Sequence, residues 1–364
     1  MISSANNSSE IGNLYPNISS NKQDFFQTDS QLESSKNRSI KSTRFSKAGN
    51  PFMIPSKILS LTKSYDNCHV YSSESGFISR KMRLTDGKTL VVYRGHNGPV
   101  TETVVGYNND LVEEFVVTSS WDKTLIKWNP DGKMSIIFKG HTDFVKCCLL
   151  FDNFVISASS DKTIKKWTLD GTEIASLKGH SRGVEKIVVD YNFLFSCSSD
   201  TLIRKWDLNT NTCLMEFKGH LTSVLNLCIL DGAIWSSSAD NTAKRWDVDT
   251  GVCDITLKCD DFVSCVAVGG DYVFTGGRDE EVRVWDSRTE KCVHVFHGHF
   301  DQVTSLVLPG NGTIVSGSLD GSLRTWYLCD IGKVQLVEEV QDEEAKDTIL
   351  DEDEERELNE LMNS

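Results

Sequence analysis

His141, Ser157 and Asp161 are the residue types of an acyl-transfer site. A serine hydroxyl becomes a nucleophile when an imidazole takes its proton and a carboxylate orients that imidazole. An enzyme needs one such set. This chain repeats it as His96/Thr118/Asp122, His180/Ser196/Asp200, His220/Ser236/Asp240 and His299/Ser316/Asp320. Regular recurrence assigns these residues to a structural tile rather than to a reaction centre. No phosphate-binding loop, Gly-x-Ser-x-Gly elbow or zinc-ligand spacing stands elsewhere in the chain. His297 and His299 lie one residue apart, but the second belongs to the repeat. No catalytic residue, metal or cofactor is therefore expected.

The tile has a period near 40 residues. Trp128, Trp167, Trp206, Trp246, Trp285 and Trp326 follow one another at intervals of 39 to 41, each six residues after an Asp. A Ser or Thr stands four residues before each Asp, and a Gly-His pair opens most units. A seventh, degraded unit lies upstream in "YSSESGFISRKMRL", with Ser72, Gly76 and Met82 at the hydroxyl, Asp and Trp positions. Within a unit, stretches such as "SVLNLCIL", "AIWSSS", "AKRWDV" and "CDITLK" are rich in strand-forming residues and separated by turn residues. A four-stranded unit of this size cannot bury both its faces alone. Seven of them closing radially can.

Bulk properties narrow the function. The 364 residues carry a net charge of -14, which disfavours general binding to nucleic acid. No apolar run is long enough to span a membrane. The first 20 residues lack the basic and apolar regions of a signal peptide, so a cytoplasmic or nuclear protein is expected. The eleven cysteines, an odd number without a Cys-x-x-Cys pair, are then expected as reduced thiols.

The "GH", "SSD" or "SAD" and "KWD" or "RWD" elements, six times in phase, resemble the WD40-repeat family, whose members form β-propellers. The resemblance covers about residues 58–337. It implies an all-β fold, a seven-bladed propeller over 51–337; composition adds a Ser/Asn-rich segment at 1–50, expected disordered, and an acidic tail at 338–364. It also implies that His, hydroxyl, Asp and Trp form a hydrogen-bonded structural network in each blade. Two blades depart from the pattern. Blade 6 has Cys259 in the His position, and blade 1 lacks nearly the whole network, so both are expected to be held by packing. The ring is expected to close through "VQLV" (334–337), with "PFMIP" (51–55) as the alternative.

Function is then expected in recognition of protein or peptide partners by a non-catalytic scaffold, a monomer within a larger complex. The resemblance implies that residues before each turn Asp, and those after each Gly-His, emerge on the top face. Here these are Trp121, Phe144, Arg182, Leu221, Phe262, Arg278, Phe300, Gln302 and Leu319. Trp121 stands out because the other units put Ser, Ala, Arg or Leu there. A narrower alternative starts from "VFTGGRDEEVRVWDSR" (273–288), which resembles the WD-x-Arg box of substrate receptors for cullin-4 ubiquitin ligases. Asp286 and Arg288 would contact the adaptor. Two flanking features stay open. The basic "KNRSIKSTRFSK" (36–47) reads as a solvated linker or as a phosphorylation or import segment. The acidic tail reads as a solubilising, solvated segment or, through Leu358, Leu361 and Met362 at i, i+3 and i+4, as a short amphipathic stripe suited to a groove on a basic partner.

If the repeat is structural, Trp206→Ala costs about 3–5 kcal/mol through the cavity it leaves, measured by denaturant unfolding. A stable variant that had lost a chemical activity would contradict the structural assignment.

Overall fold

The computed structural model describes Lys41 and residues 44–108, 113–310 and 312–332. Among these residues, 28 strands form seven four-stranded antiparallel sheets. Blades 1 to 6 are built from consecutive strands within 58–94, 100–139, 145–178, 184–217, 224–258 and 263–297. The inner strand of blade 1, Ile58–Lys63, packs against that of blade 7, Val303–Gly310, and closes the ring. Ser305 Oγ accepts the Leu61 N–H at 3.0 Å, and Thr304 Oγ1 donates to the Ile58 carbonyl at 2.8 Å. No helix among the described residues is long and apolar enough to cross a membrane.

The core lies in the seams between blades. Trp167 packs with Val117, Leu125 and Phe138 of blade 2, and Trp206 with Ile156 and Ile164 of blade 3. Trp246 and Trp326 sit likewise against blades 4 and 6. Each tryptophan thus fills the gap to the preceding blade, so no blade can lose its neighbour without exposing an indole. Met82 does this in blade 1, against Val315 and Leu323 of blade 7. The turn between the second and third strands of every blade contains one left-handed residue: Phe77, Lys123, Lys162, Thr201, Asn241, Glu280 and Gly321, with φ between 65° and 80°.

The closing strand corrects one expectation. The outer partner of Ser322–Tyr327 in blade 7 is Phe52–Met53, paired as Phe52 with Leu323 and Met53 with Ser322. The segment 334–337 lies outside the described residues, and the edge assigned to it is taken. Gly321 permits this route: a Cβ there would stand 2.6 Å from the Ile54 carbonyl, whose own N–H bonds to Gly321 O at 2.7 Å.

The body also begins earlier than residue 51. Residues 44–50 form a turn packed on blade 7, so this part of the 1–50 segment is folded; residues 1–40, 42–43 and 333–364 lie outside the described residues. Arg324, 1% exposed, holds the turn. Its guanidinium donates to the carbonyls of Phe45 and Ser46, at 3.2 and 3.5 Å, and of Ala48. Burial lowers the Arg324 pKa to about 10, with Asp320 opposing the shift. Phe45 meets the His297 ring at 5.5 Å.

Removing that guanidinium strands three carbonyls. Arg324→Ala is expected to lose about 2–4 kcal/mol in denaturant unfolding. Exposed Arg288→Ala is expected to stay within about 0.5 kcal/mol. Equal losses would mean that the 44–50 turn does not brace blade 7.

Candidate functional site

The repeated polar set is a hydrogen-bonded chain in blades 2, 3, 4, 5 and 7. In blade 3, His141 Nδ1 meets Asp161 Oδ2 at 2.7 Å, His141 Nε2 meets Ser157 Oγ at 2.7 Å, and Trp167 Nε1 donates to Ser157 Oγ at 2.8 Å. Asp161 also accepts the Thr142 N–H at 3.0 Å. Because the carboxylate can only accept, Nδ1 carries the proton and Nε2 accepts from the serine. The same contacts recur through His96, His180 and His220. In blade 7, His299 Nδ1 lies 3.3 Å from Asp320 and 2.9 Å from Ser322 Oγ. The geometry is that of a triad, but Ser157, Ser196, Ser236 and Ser316 are 0% exposed and saturated by Trp and His. No substrate carbonyl can reach such a hydroxyl.

Burial opposes the charge on Asp122, Asp161, Asp200, Asp240 and Asp320. Hydrogen bonds from the histidine and from the next backbone N–H outweigh it, and all five are held well below the usual carboxylate range.

The two departing blades are rebuilt rather than held by packing alone. In blade 1, Glu74 is buried at a strand position where five other blades carry a serine and blade 6 a glycine. Its carboxylate accepts from Ser72 at 2.9 Å, from Arg80 Nε at 2.7 Å, and from Ser56. In blade 6, Trp285 keeps its bond to Thr275 at 2.8 Å, but Cys259 offers only a 3.9 Å thiol contact. Burial pushes the Cys259 thiol up to about 11, so it stays protonated. Arg283 takes over the Asp279 carboxylate and also reaches Asp260 at 2.8 Å and Glu281 at 2.9 Å. Gly277 is needed there, since a Cβ would stand 2.4 Å from the Phe262 carbonyl. The sequence signal was Glu74 at a strand position where most units carry Ser in blade 1, and Cys259 in the His position in blade 6; Arg283 itself stands where most units carry Lys or Arg.

The residues assigned to the top face lie in the loops and turns at the same end of the blades, next to these networks. Trp121 and Phe144, from neighbouring blades, stack with centroids 5.3 Å apart and planes 20° apart. They remain 40% and 41% exposed. Phe262 is also exposed and lies under Arg278, at 4.4 Å, which pairs with Asp261 at 2.9 Å. Leu221 and Arg182 are exposed, whereas Phe300, Gln302 and Leu319 are half-buried. Gln302 donates to Ser264 Oγ across the blade 6–7 seam, and Phe300 lies over Arg324 at 5.4 Å. These three are partly engaged in holding the face together.

The model of the WD domain, G-beta repeat, matches residues 87–129, 132–168, 171–207, 211–247, 251–286 and 290–327. The chain belongs to the WD40 family. An uncharacterised WD repeat-containing protein of Schizosaccharomyces pombe is 33% identical over 136 residues, 35% of this chain and 36% of that protein. Protein ROOT INITIATION DEFECTIVE 3 of Arabidopsis thaliana is 42% identical over 60 residues, 16% of this chain and 14% of its own. A U3 snoRNP-associated protein-like protein of the same plant is 44% identical over 62 residues, 17% of this chain and 13% of that protein. The chain thus spans about a third or less of the length of these relatives. WD40 propellers are typically scaffolds for protein interaction and generally not catalysts.

Asp286 and Arg288, the alternative adaptor contacts, lie in the turn between the third and fourth strands of blade 6. Asp286 Oδ1 accepts the N–H groups of Arg288 and Thr289, each at 2.8 Å, a turn role that Asp247 repeats in blade 5. Arg288 is exposed and pairs with Asp271 at 2.7 Å.

A depressed carboxylate adds stability above its unfolded pKa, near pH 4, and that stability is lost as pH falls toward the folded value. Melting temperature is expected to fall steeply below about pH 4. Asp200→Asn should melt lower at neutral pH and lose less on acidification. An unchanged acid slope in that variant would show that Asp200 carries no part of the effect.

Proposed function

We propose that this propeller is a non-catalytic scaffold whose top face binds a protein or peptide partner. The observation that carries the reading is the Trp121–Phe144 stack, two large aromatic rings left in solvent across a blade seam. Neither ring is required by the repeat. Such pairs supply large contact area at low entropic cost and dominate interface energetics. Phe262 with Arg278, and exposed Leu221, extend the surface around the ring. Eleven unpaired thiols accord with work in the cytosol or nucleus, which we propose as its compartment.

The test is quantitative affinity purification, comparing the wild type with a folded Trp121/Phe144/Phe262/Phe300 alanine variant. A discrete set of partners is expected to fall away. Full retention would move the binding surface elsewhere. A second reading rests on the exposed Arg288: as a receptor for a cullin-4 type ligase, Arg288→Ala should lose one adaptor together with its ligase and leave top-face partners bound.

A further inference from the structure

Exposed cations on the top side are most numerous on blades 2 to 4. On blades 2 to 4, Lys123, Lys139, Lys162, Lys178 and Arg182 are all exposed, and none has an ion-pair partner among the described residues. Lys123 and Lys162 hold the left-handed turn positions beside Asp122 and Asp161. Lys139 and Lys178 end outer strands, directly before the Gly-His pairs, a position that is also basic as Arg94, Lys218 and Lys258 in blades 1, 4 and 5. The nearby carboxylates are already engaged: Asp122, Asp161 and Asp200 by imidazoles, and Asp143 in accepting the Phe144 N–H at 2.8 Å. Blade 6 has the opposite character, with Asp260, Asp261 and Glu280 at its loop and turn. Five exposed cations thus have no ion-pair partner among the described residues, on the blades that carry the aromatic stack and the next one.

The chain's own final segment has the complementary chemistry. Residues 338–364 contain thirteen acidic residues and two basic ones. Leu358, Leu361 and Met362 stand among those acids at i, i+3 and i+4, the spacing of one helical face. The described chain ends at Gly332, whose N–H points to His294 Nδ1 at 3.4 Å. The 32 residues beyond it reach about 100 Å when extended, more than the roughly 50 Å across a domain of this size. Tethering holds such a segment at an effective concentration on the order of millimolar. Weak contacts then suffice for docking.

We propose that the acidic C-terminal segment docks in cis on the cationic and aromatic sector of blades 2 to 4. Leu358, Leu361 and Met362 lie against Trp121 and Phe144, and the flanking carboxylates meet Lys123, Lys162 and Arg182. The proposal rests on reading the top face as a binding surface. It adds that a partner engaging the aromatic stack must displace the tail, so access is under electrostatic control. Opposite charges held at the surface are screened within about 10 Å at 0.1 M salt and within about 3 Å at 1 M, which makes the docking salt-sensitive.

The experiment uses the full chain with a photo-crosslinking side chain in place of Leu361. Dilute protein is irradiated and the cross-linked peptides are located by mass spectrometry. Links within one chain to the peptides holding Trp121, Phe144 or Lys162 are expected. Their yield should fall about tenfold in K123E/K162E/R182E and in about 1 M salt, with the variant melting as the wild type does. Links to another face, links between two chains, or links that survive the triple substitution would overturn the proposal. Partner capture by the alanine variant is scored separately. Lost partners without the intrachain link refute the docking and leave the top-face reading intact. The link with unchanged partners does the reverse.

Discussion

Everything in this ring depends on one buried hydroxyl per blade. In blades 2 to 5 and 7 a Ser or Thr oxygen receives the indole N–H of a seam-filling tryptophan and bonds the imidazole of the loop before it. That imidazole is held by a carboxylate, which also ties the next backbone N–H. One chain of bonds therefore joins the hydrophobic seam to the loop that displays the outward-facing residues. Low dielectric strengthens such a network and makes a partial version costly. Consistent with that cost, the blades that lack members carry replacements: Glu74 and Arg80 in blade 1, and Arg283 on the retained Asp279 in blade 6.

The same bonds keep the repeated His, Ser and Asp sets from acting as catalytic triads. A nucleophile needs an unsatisfied, reachable oxygen and a base free to move a proton. These oxygens are enclosed, and the imidazole is spent as a structural linker. A triad's donor and acceptor order can serve rigidity as well as chemistry; accessibility separates the two.

Rigid loops allow a varied display. Positions that the network leaves free carry Trp121 and Phe144 in one sector, unpaired lysines around them, and an acidic, arginine-latched loop in blade 6. Positions recruited to hold the face, such as Gln302 and Phe300, are correspondingly half-buried. The division between display and support follows from which side chains find partners in the neighbouring blade.

The amino-acid sequence alone determined the period, the number of blades and the four-residue network. Each is local, repeating every 40 residues or so, and repetition makes a weak signal strong. Four things were decided only by the tertiary structure. The closing strand is Phe52–Met53 rather than 334–337, because pairing two ends of a ring is a contact between residues about 270 apart. Arg324 reaches back to carbonyls of residues 45–48 for the same reason. Glu74 and Arg283 became network members only once folding brought Ser56 and Asp260 beside them. The stacking of Trp121 on Phe144 belongs here too: each residue was legible as exposed, but their contact crosses a seam that no single repeat contains.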